Sequence, residues 1–138
     1  MTWIVDTSVA LKWAVAEEGS DLAAPLFGGD VVAPDLLRSE LGNALWKKVR
    51  RREIGPVQAI AAYAEIEATL AFLPTDRLAS RALHIALDLD HPVYDCLYLA
   101  LAEATDMAVL TSDRKLIRRC SGTAYDGSLV TLEQAAPF

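Results

Sequence analysis

Five short apolar runs alternate along this chain with longer stretches whose apolar residues recur every three or four positions. The runs are Trp3-Ile4-Val5, Val31-Val32-Ala33, Phe72-Leu73, Met107-Ala108-Val109-Leu110 and the neighbourhood of Leu129 to Thr131. Strands that alternate with helices are joined by crossovers, so they run parallel and the helices cover the sheet. The pattern predicts a layered α/β domain. The chain has 138 residues and is 53% hydrophobic, enough for one compact domain over 1–138 with a real core.

The helical stretches carry recognisable boundaries. Thr7 or Ser8 can cap a helix in which Val9 and Trp13 lie one turn apart. Gly19-Ser20 restarts a short helix that Gly28-Gly29 ends. A long helix is expected from about Leu36 to Arg51, with Leu37, Leu41, Ala44, Leu45 and Val49 as its apolar stripe. Leu36, Glu40, Asn43 and Lys47 share a neighbouring face, which sets a carboxylate, an amide and an ammonium in line. Pro56 suits the first turn of the next helix, lined by Ala59, Tyr63, Ile66 and Leu70. Leu78, Ala82, Ile85 and Leu89 mark another. One more begins after Pro92, with Tyr94, Leu97, Leu101 and Ala104 expected on its inner face, and a short one covers Arg114 to Arg119.

Several classes are disfavoured. Cys96 and Cys120 lack zinc-type spacing, and Cys96 reads as a small buried hydrophobe; reduced thiols and a cytoplasmic setting are expected. The start, MTWIVDTSVALKW, lacks a basic segment and a small-residue cleavage site, so no signal peptide is expected. No run of about 18 apolar residues is present to cross a membrane. His84 and His91 have no nearby ligand pattern, and His91 reads as a loop residue before Pro92. Asp88, Asp90, Asp106 and Asp126 read as turn or helix-end acids. Trp3, Trp13 and Trp46 read as core or interface. The net charge is −6, yet the cations cluster: Lys47, Lys48, Arg50, Arg51 and Arg52 form one patch, and Arg114, Lys115, Arg118 and Arg119 another. Cations suit helix C-termini, and they also attract phosphates.

The acids Asp6, Glu40, Asp95 and Asp113 stand apart by placement. Asp6 ends the first apolar run, and Asp113 follows the fourth. Glu40 and Asp95 fall near the starts of amphipathic helices. Singly, each has an ordinary explanation as a cap, a turn residue or a dipole partner. Jointly they lie at one place, because sites of open α/β sheets form outside the carboxyl ends of the strands. Such a cluster of oxygen ligands suits a hard divalent cation with positions left open for a phosphate.

With these residues in view, the chain resembles the PIN-domain ribonucleases, and most closely the toxin subunits of VapBC toxin–antitoxin systems. Ile4-Val5-Asp6-Thr7-Ser8 looks like the family's opening strand and Asp-Thr/Ser. Ser39-Glu40-Leu41-Gly42-Asn43 matches its helix glutamate. Tyr94-Asp95-Cys96-Leu97-Tyr98 matches the helix that supplies the third acid, and Leu110-Thr111-Ser112-Asp113 matches the closing Thr-x-Asp element. Ser112 departs from the small apolar residue common there. The resemblance covers nearly the whole chain.

It implies a PIN fold, a central parallel five-stranded sheet flanked by helices in three α/β/α layers. It also implies cleavage of RNA dependent on Mg²⁺, with Mn²⁺ as a possible substitute, by in-line hydrolysis that leaves a 5′-phosphate. Asp6, Asp95 and Asp113 would hold metal, with Glu40 at a second metal or positioning the attacking water. Thr7, Thr111, Ser112 and Asn43 would orient the carboxylates, and Lys47 and Arg50 would face RNA. A homodimer and a VapB-type antitoxin are implied partners, with DNA contacted only through the antitoxin. The alternative is a PIN fold that docks a partner without catalysis, but such proteins usually lose acids and this chain keeps four. A haloacid-dehalogenase-like phosphatase needs a second Asp two positions after the first, where Ser8 stands. A receiver domain's pattern of paired acids also fails.

Overall fold

The five apolar runs form β1 (Trp3–Val5), β2 (Val31–Pro34), β3 (Ala71–Leu73), β4 (Val109–Thr111) and β5 (Leu129–Thr131) in the computed structural model. It describes residues 1–136; residues 137 and 138 of the expected domain lie outside the described residues. Every strand pair is parallel, and the order across the sheet is β3-β2-β1-β4-β5. β1 is central and pairs with β4 in the register Ile4 to Val109 and Val5 to Leu110. The chain winds outward from β1 through β2 and β3, then returns to β4 on its other side. The β1–β4 gap is therefore the topological switch point, where open sheets form their clefts.

Eight helices cover the sheet among the described residues: α1 (Thr7–Ala14), α2 (Ser20–Ala23), α3 (Leu37–Arg50), α4 (Pro56–Thr69), α5 (Ala79–Leu89), α6 (Val93–Thr105), α7 (Arg114–Cys120) and α8 (Leu132–Ala135). Alternating strand residues point to opposite faces. Val5 and Leu110 join Val9, Leu37, Leu41, Leu45 and Ile66 of α1, α3 and α4 in one buried cluster. Ile4 and Val109 join Tyr98, Leu101 and Ala102 of α6 on the other face. Beside these, Ala82, Ile85 and Leu89 of α5 meet Cys96, Leu99 and Ala100, together with Leu116 and Cys120 of α7.

Two local expectations change. The N-cap of α1 is Asp6 rather than Thr7 or Ser8, with extended backbone and its side chain accepting from the Val9 amide. The inner face of α6 keeps Leu97 and Leu101 of the expected stripe but not its two ends. Tyr94 is 65% exposed and Ala104 is exposed, while Cys96 and Tyr98 to Ala102 are buried. This helix packs against the sheet and α5 together, so its buried arc is wider than the narrow 3–4 stripe of a surface helix. A Thr131–Gln134 capping box starts α8. Trp3 and Trp13 pack against the larger cluster, but Trp46 is exposed.

Candidate active site

Parallel strands end on one edge, and that edge receives all four acids. Asp6 is the first residue past β1. One of its carboxylate oxygens accepts from the Val9 amide at 3.2 Å and from the Ser8 hydroxyl at 2.5 Å. The other accepts from the Thr111 hydroxyl. Thr111 Oγ1 in turn accepts from the Asp113 amide at 3.0 Å, and Ser8 Oγ accepts from the Ser112 amide at 2.8 Å. Hydroxyls thus stitch the end of β1 to the loop after β4. Asp113 caps α7, with Oδ1 accepting from the Lys115 and Leu116 amides at 3.0 and 3.2 Å.

Glu40 arrives in the first turn of α3 and Asp95 in the first turn of α6. The Tyr98 hydroxyl donates to Glu40 Oε1 at 2.6 Å, and the Thr7 hydroxyl donates to the same oxygen at 3.1 Å. Tyr98 is 2% exposed, so this phenol holds Glu40 from inside the protein. His91 Nε2 donates to Asp95 Oδ2 at 2.6 Å.

The electrostatics tie the acids in two pairs, Asp6 with Asp113 and Glu40 with Asp95. Burial pushes the Asp6 carboxyl up to about 6, against the lowering effect of its three donors, and the charge of Asp113 adds to the rise. Burial also raises Glu40, with a contribution from Asp95. Burial raises Tyr98 strongly, and both Glu40 and Asp6 push it the same way. Asp95 and Asp113 line one cleft of about 620 Å³, along with His91, Lys115, Arg118 and Arg119. Asp6 thus lies in the field of Asp113, and Glu40 in that of Asp95.

An all-carboxylate donor set in which burial and neighbouring acids raise Asp6 and Glu40 fits a hard divalent cation, whose charge removes the repulsion. Among the described residues, no three His, Cys, Asp or Glu side chains close on a single point. Asp95 is turned to His91, Glu40 to Tyr98 and Thr7, and Asp113 to the α7 amides.

The expected orienting residues divide by what they touch. Thr7 and Thr111 hold acids directly. Ser112 contributes its amide, through Ser8. Asn43 is exposed and makes no side-chain hydrogen bond among the described residues. Ser8, Tyr98 and His91 escaped the sequence reading. Ser8, two residues after Asp6, had a local signal, whereas Tyr98 meets Glu40 and His91 meets Asp95 only through the fold.

Tyr98→Phe is expected to destabilise the protein by about 1–2 kcal/mol, because a buried carboxylate loses its phenolic donor. It should also raise the Glu40 pKa further, since that hydrogen bond now opposes the rise. Urea unfolding at pH 7 and a carboxyl titration by NMR check both effects.

Comparison with known proteins places this architecture. The profile of the PIN domain family matches residues 3–121. Ribonuclease VapC1 from two strains of Mycobacterium tuberculosis is 41% identical over 88 residues, 61% of this chain and 63% of that protein. The chain thus matches less than two thirds of that relative's length. Exonuclease VapC9 of Pyrobaculum aerophilum is 31% identical over 99 residues, 70% of this chain and 71% of the relative. Among solved structures, a Pyrobaculum aerophilum protein superposes with a TM-score of 0.74 at 23% identity, covering 98% of this chain and 86% of the other. A toxin–antitoxin complex from Klebsiella pneumoniae gives 0.69 at 12% identity, covering 95% and 98%. At these identities the structural matches speak for the fold.

Proposed function

Since the chain belongs to the PIN domain family, we propose that it is a divalent-metal-dependent endoribonuclease, the VapC-type toxin of a toxin–antitoxin pair. The observation that carries this reading is the gathering of four acids on the carboxyl edge of the sheet beside the switch point. The names of the two sequence relatives, a ribonuclease and an exonuclease, support nuclease chemistry.

Asp6, Asp95, Asp113 and Glu40 would hold Mg²⁺ or Mn²⁺, which when bound neutralises phosphate charge and acidifies a coordinated water. The chain's own residues do the rest. Val9, Ser8 and Thr111 fix the Asp6 carboxylate, so little orientational freedom is left to lose. Tyr98 and Thr7 fix Glu40. Burial raises the Glu40 carboxyl above the ordinary carboxylate range, which favours its accepting the proton of an attacking water. Water's oxygen bonds to phosphorus as the bond from phosphorus to the 3′-oxygen breaks, leaving a 5′-phosphate. No side-chain nucleophile is required.

Lys47 and Arg50 are exposed on α3 and are assigned to flanking phosphates. At about 1.5 Å per residue they lie about 10 and 15 Å along the helix from Glu40. Replacing both by Ala is expected to flatten the salt dependence of single-strand RNA binding by about 1.4 in log–log slope. An unchanged affinity and slope would remove them from the interface.

Apolar side chains exposed on α3 and α4 (Trp46, Val57, Ile60) and around α5 and α6 (Leu83, Leu87, Tyr94) are surfaces of the kind partners cover. A VapB-type antitoxin and a second copy of this chain are the proposed occupants, with DNA reached only through the antitoxin. No helix is long and apolar enough to cross a membrane among the described residues, and the proposed location is the cytoplasm. The function is tested by incubating purified protein with an RNA pool in Mg²⁺, Mn²⁺ or chelator. Internal cuts in metal alone support the endonuclease; stepwise shortening from one end would make it an exonuclease.

A further inference from the structure

α7 is short, but its two faces differ sharply. Leu116 and Cys120 are buried against α5 and α6, which fixes the helix in rotation. Lys115, Arg118 and Arg119 fall at i, i+3 and i+4, so they share the opposite, exposed face. All three line the cleft that also holds Asp95 and Asp113. The cleft therefore has one acidic wall and one basic wall.

The basic wall is not neutralised. Among the described residues, Lys12, Arg38, Lys48, Arg81 and Arg114 make ion pairs with carboxylates. Lys115, Arg118 and Arg119 have none within 4 Å. In a protein of net charge −6, these three cations on one helix face, across a cleft from Asp90, Asp95 and Asp113, are placed to attract an anion. Helical rise sets Arg118 and Arg119 about 7–9 Å beyond Asp113. That spacing exceeds what one phosphate at the acids could span, so a second phosphate of the same strand meets the cations.

We propose that Lys115, Arg118 and Arg119 form the phosphate rail of the site. They hold the backbone of a single-stranded RNA beside the scissile group, as basic grooves hold single strands without reading sequence. The assignment rests on the nuclease reading for the identity of the strand, but not for the binding itself. The three are positioning residues; the acids carry the chemistry. Arg114 is outside the rail, since it pairs with Glu18 on another side of α7.

The test measures binding separately from cleavage. A labelled mixed-sequence oligoribonucleotide is titrated against the Asp6→Asn protein over a range of salt, with and without Arg118→Gln and Arg119→Gln. Loss of two phosphate contacts should lower the log–log salt slope by about 1.4 and weaken binding about tenfold or more. Arg118→Lys with Arg119→Lys keeps the charge and should restore the slope. Arg77→Gln with Arg81→Gln removes the same charge outside both basic patches and should change the slope less. Melting curves confirm that each variant folds. Equal slopes for the α7 and control variants overturn the rail. Cleavage by wild type with an unchanged α7 slope would keep the nuclease and discard the rail. RNA held through α7 with no cleavage in any metal would keep the rail and discard the nuclease.

Discussion

Asn at position 6 is expected to lower metal-dependent RNA cleavage about a thousandfold, the scale on which removal of one charge-stabilising group acts, while making the metal-free protein more stable at neutral pH. The two effects have one cause. Asp6 is 7% exposed and lies beside Asp113, so its ionised form is disfavoured until a cation arrives. Its folded pKa of about 6 lies above the ordinary carboxylate value near 4. The folded state therefore binds more protons than the unfolded state between about pH 4 and 6. Stability from this group is fully present below pH 4, falls as pH rises through that window, and is lost above it. The cost at neutral pH is on the order of 2–3 kcal/mol. Asn avoids it and can still accept from Val9 and Ser8, so a net gain of about 1–2 kcal/mol is expected at pH 7.5, and almost none at pH 4. Urea denaturation in chelator at both pH values, beside an RNA cleavage assay in Mg²⁺, measures the pair. An Asn variant that is less stable at pH 7.5 would mean that Asp6 is chiefly a helix cap. Retained cleavage would mean that the acid is not part of the chemistry.

Leu110→Ala is expected to cost about 3 kcal/mol, within the range for buried Leu truncations, and to lower the melting temperature by about 10 °C. Leu110 is fully buried on a central strand, sits opposite Val5 in register, and packs into the cluster shared with α1 and α3. The next residue is Thr111, which holds Asp6. A cavity here loosens the sheet where it presents the site. Leu87→Ala, at an exposed position, should shift stability by less than about 0.5 kcal/mol. Similar losses from the two substitutions would show that the β1–β4 interface is not the centre of the core.

The layers, the five strands and the edge that carries the acids were all legible in sequence. Short apolar runs and the amphipathic stripes between them are local patterns, and the rule that parallel sheets bind ligands at their carboxyl edge turned those patterns into a location. The neighbouring of β1 and β4 followed in the same way, and it sets Asp6 beside Thr111 and Asp113. What stayed hidden depends on three-dimensional contact. The orientation of α6 is set by packing against two layers at once, so Tyr94 and Ala104 of the expected stripe face solvent, Leu97 and Leu101 stay inside, and Tyr98 faces Glu40. The His91–Asp95 pair needed the turn around Pro92, which brings a loop residue over the first turn of a helix. Glu40 and Tyr98 are 58 residues apart, and no local spacing announces their bond.

One measurement bears most directly on the central claim. Wild type and an Asp6→Asn, Asp95→Asn double variant are incubated with the same total-RNA pool in Mg²⁺, Mn²⁺ or chelator, and the product ends are sequenced. Defined internal cuts with 5′-phosphate ends, present only with metal and absent from the double variant, are the predicted result. Cuts that persist in the variant, or none from folded wild-type protein shown free of antitoxin in either metal, would contradict it. The second outcome would favour a PIN fold that docks a partner without catalysis.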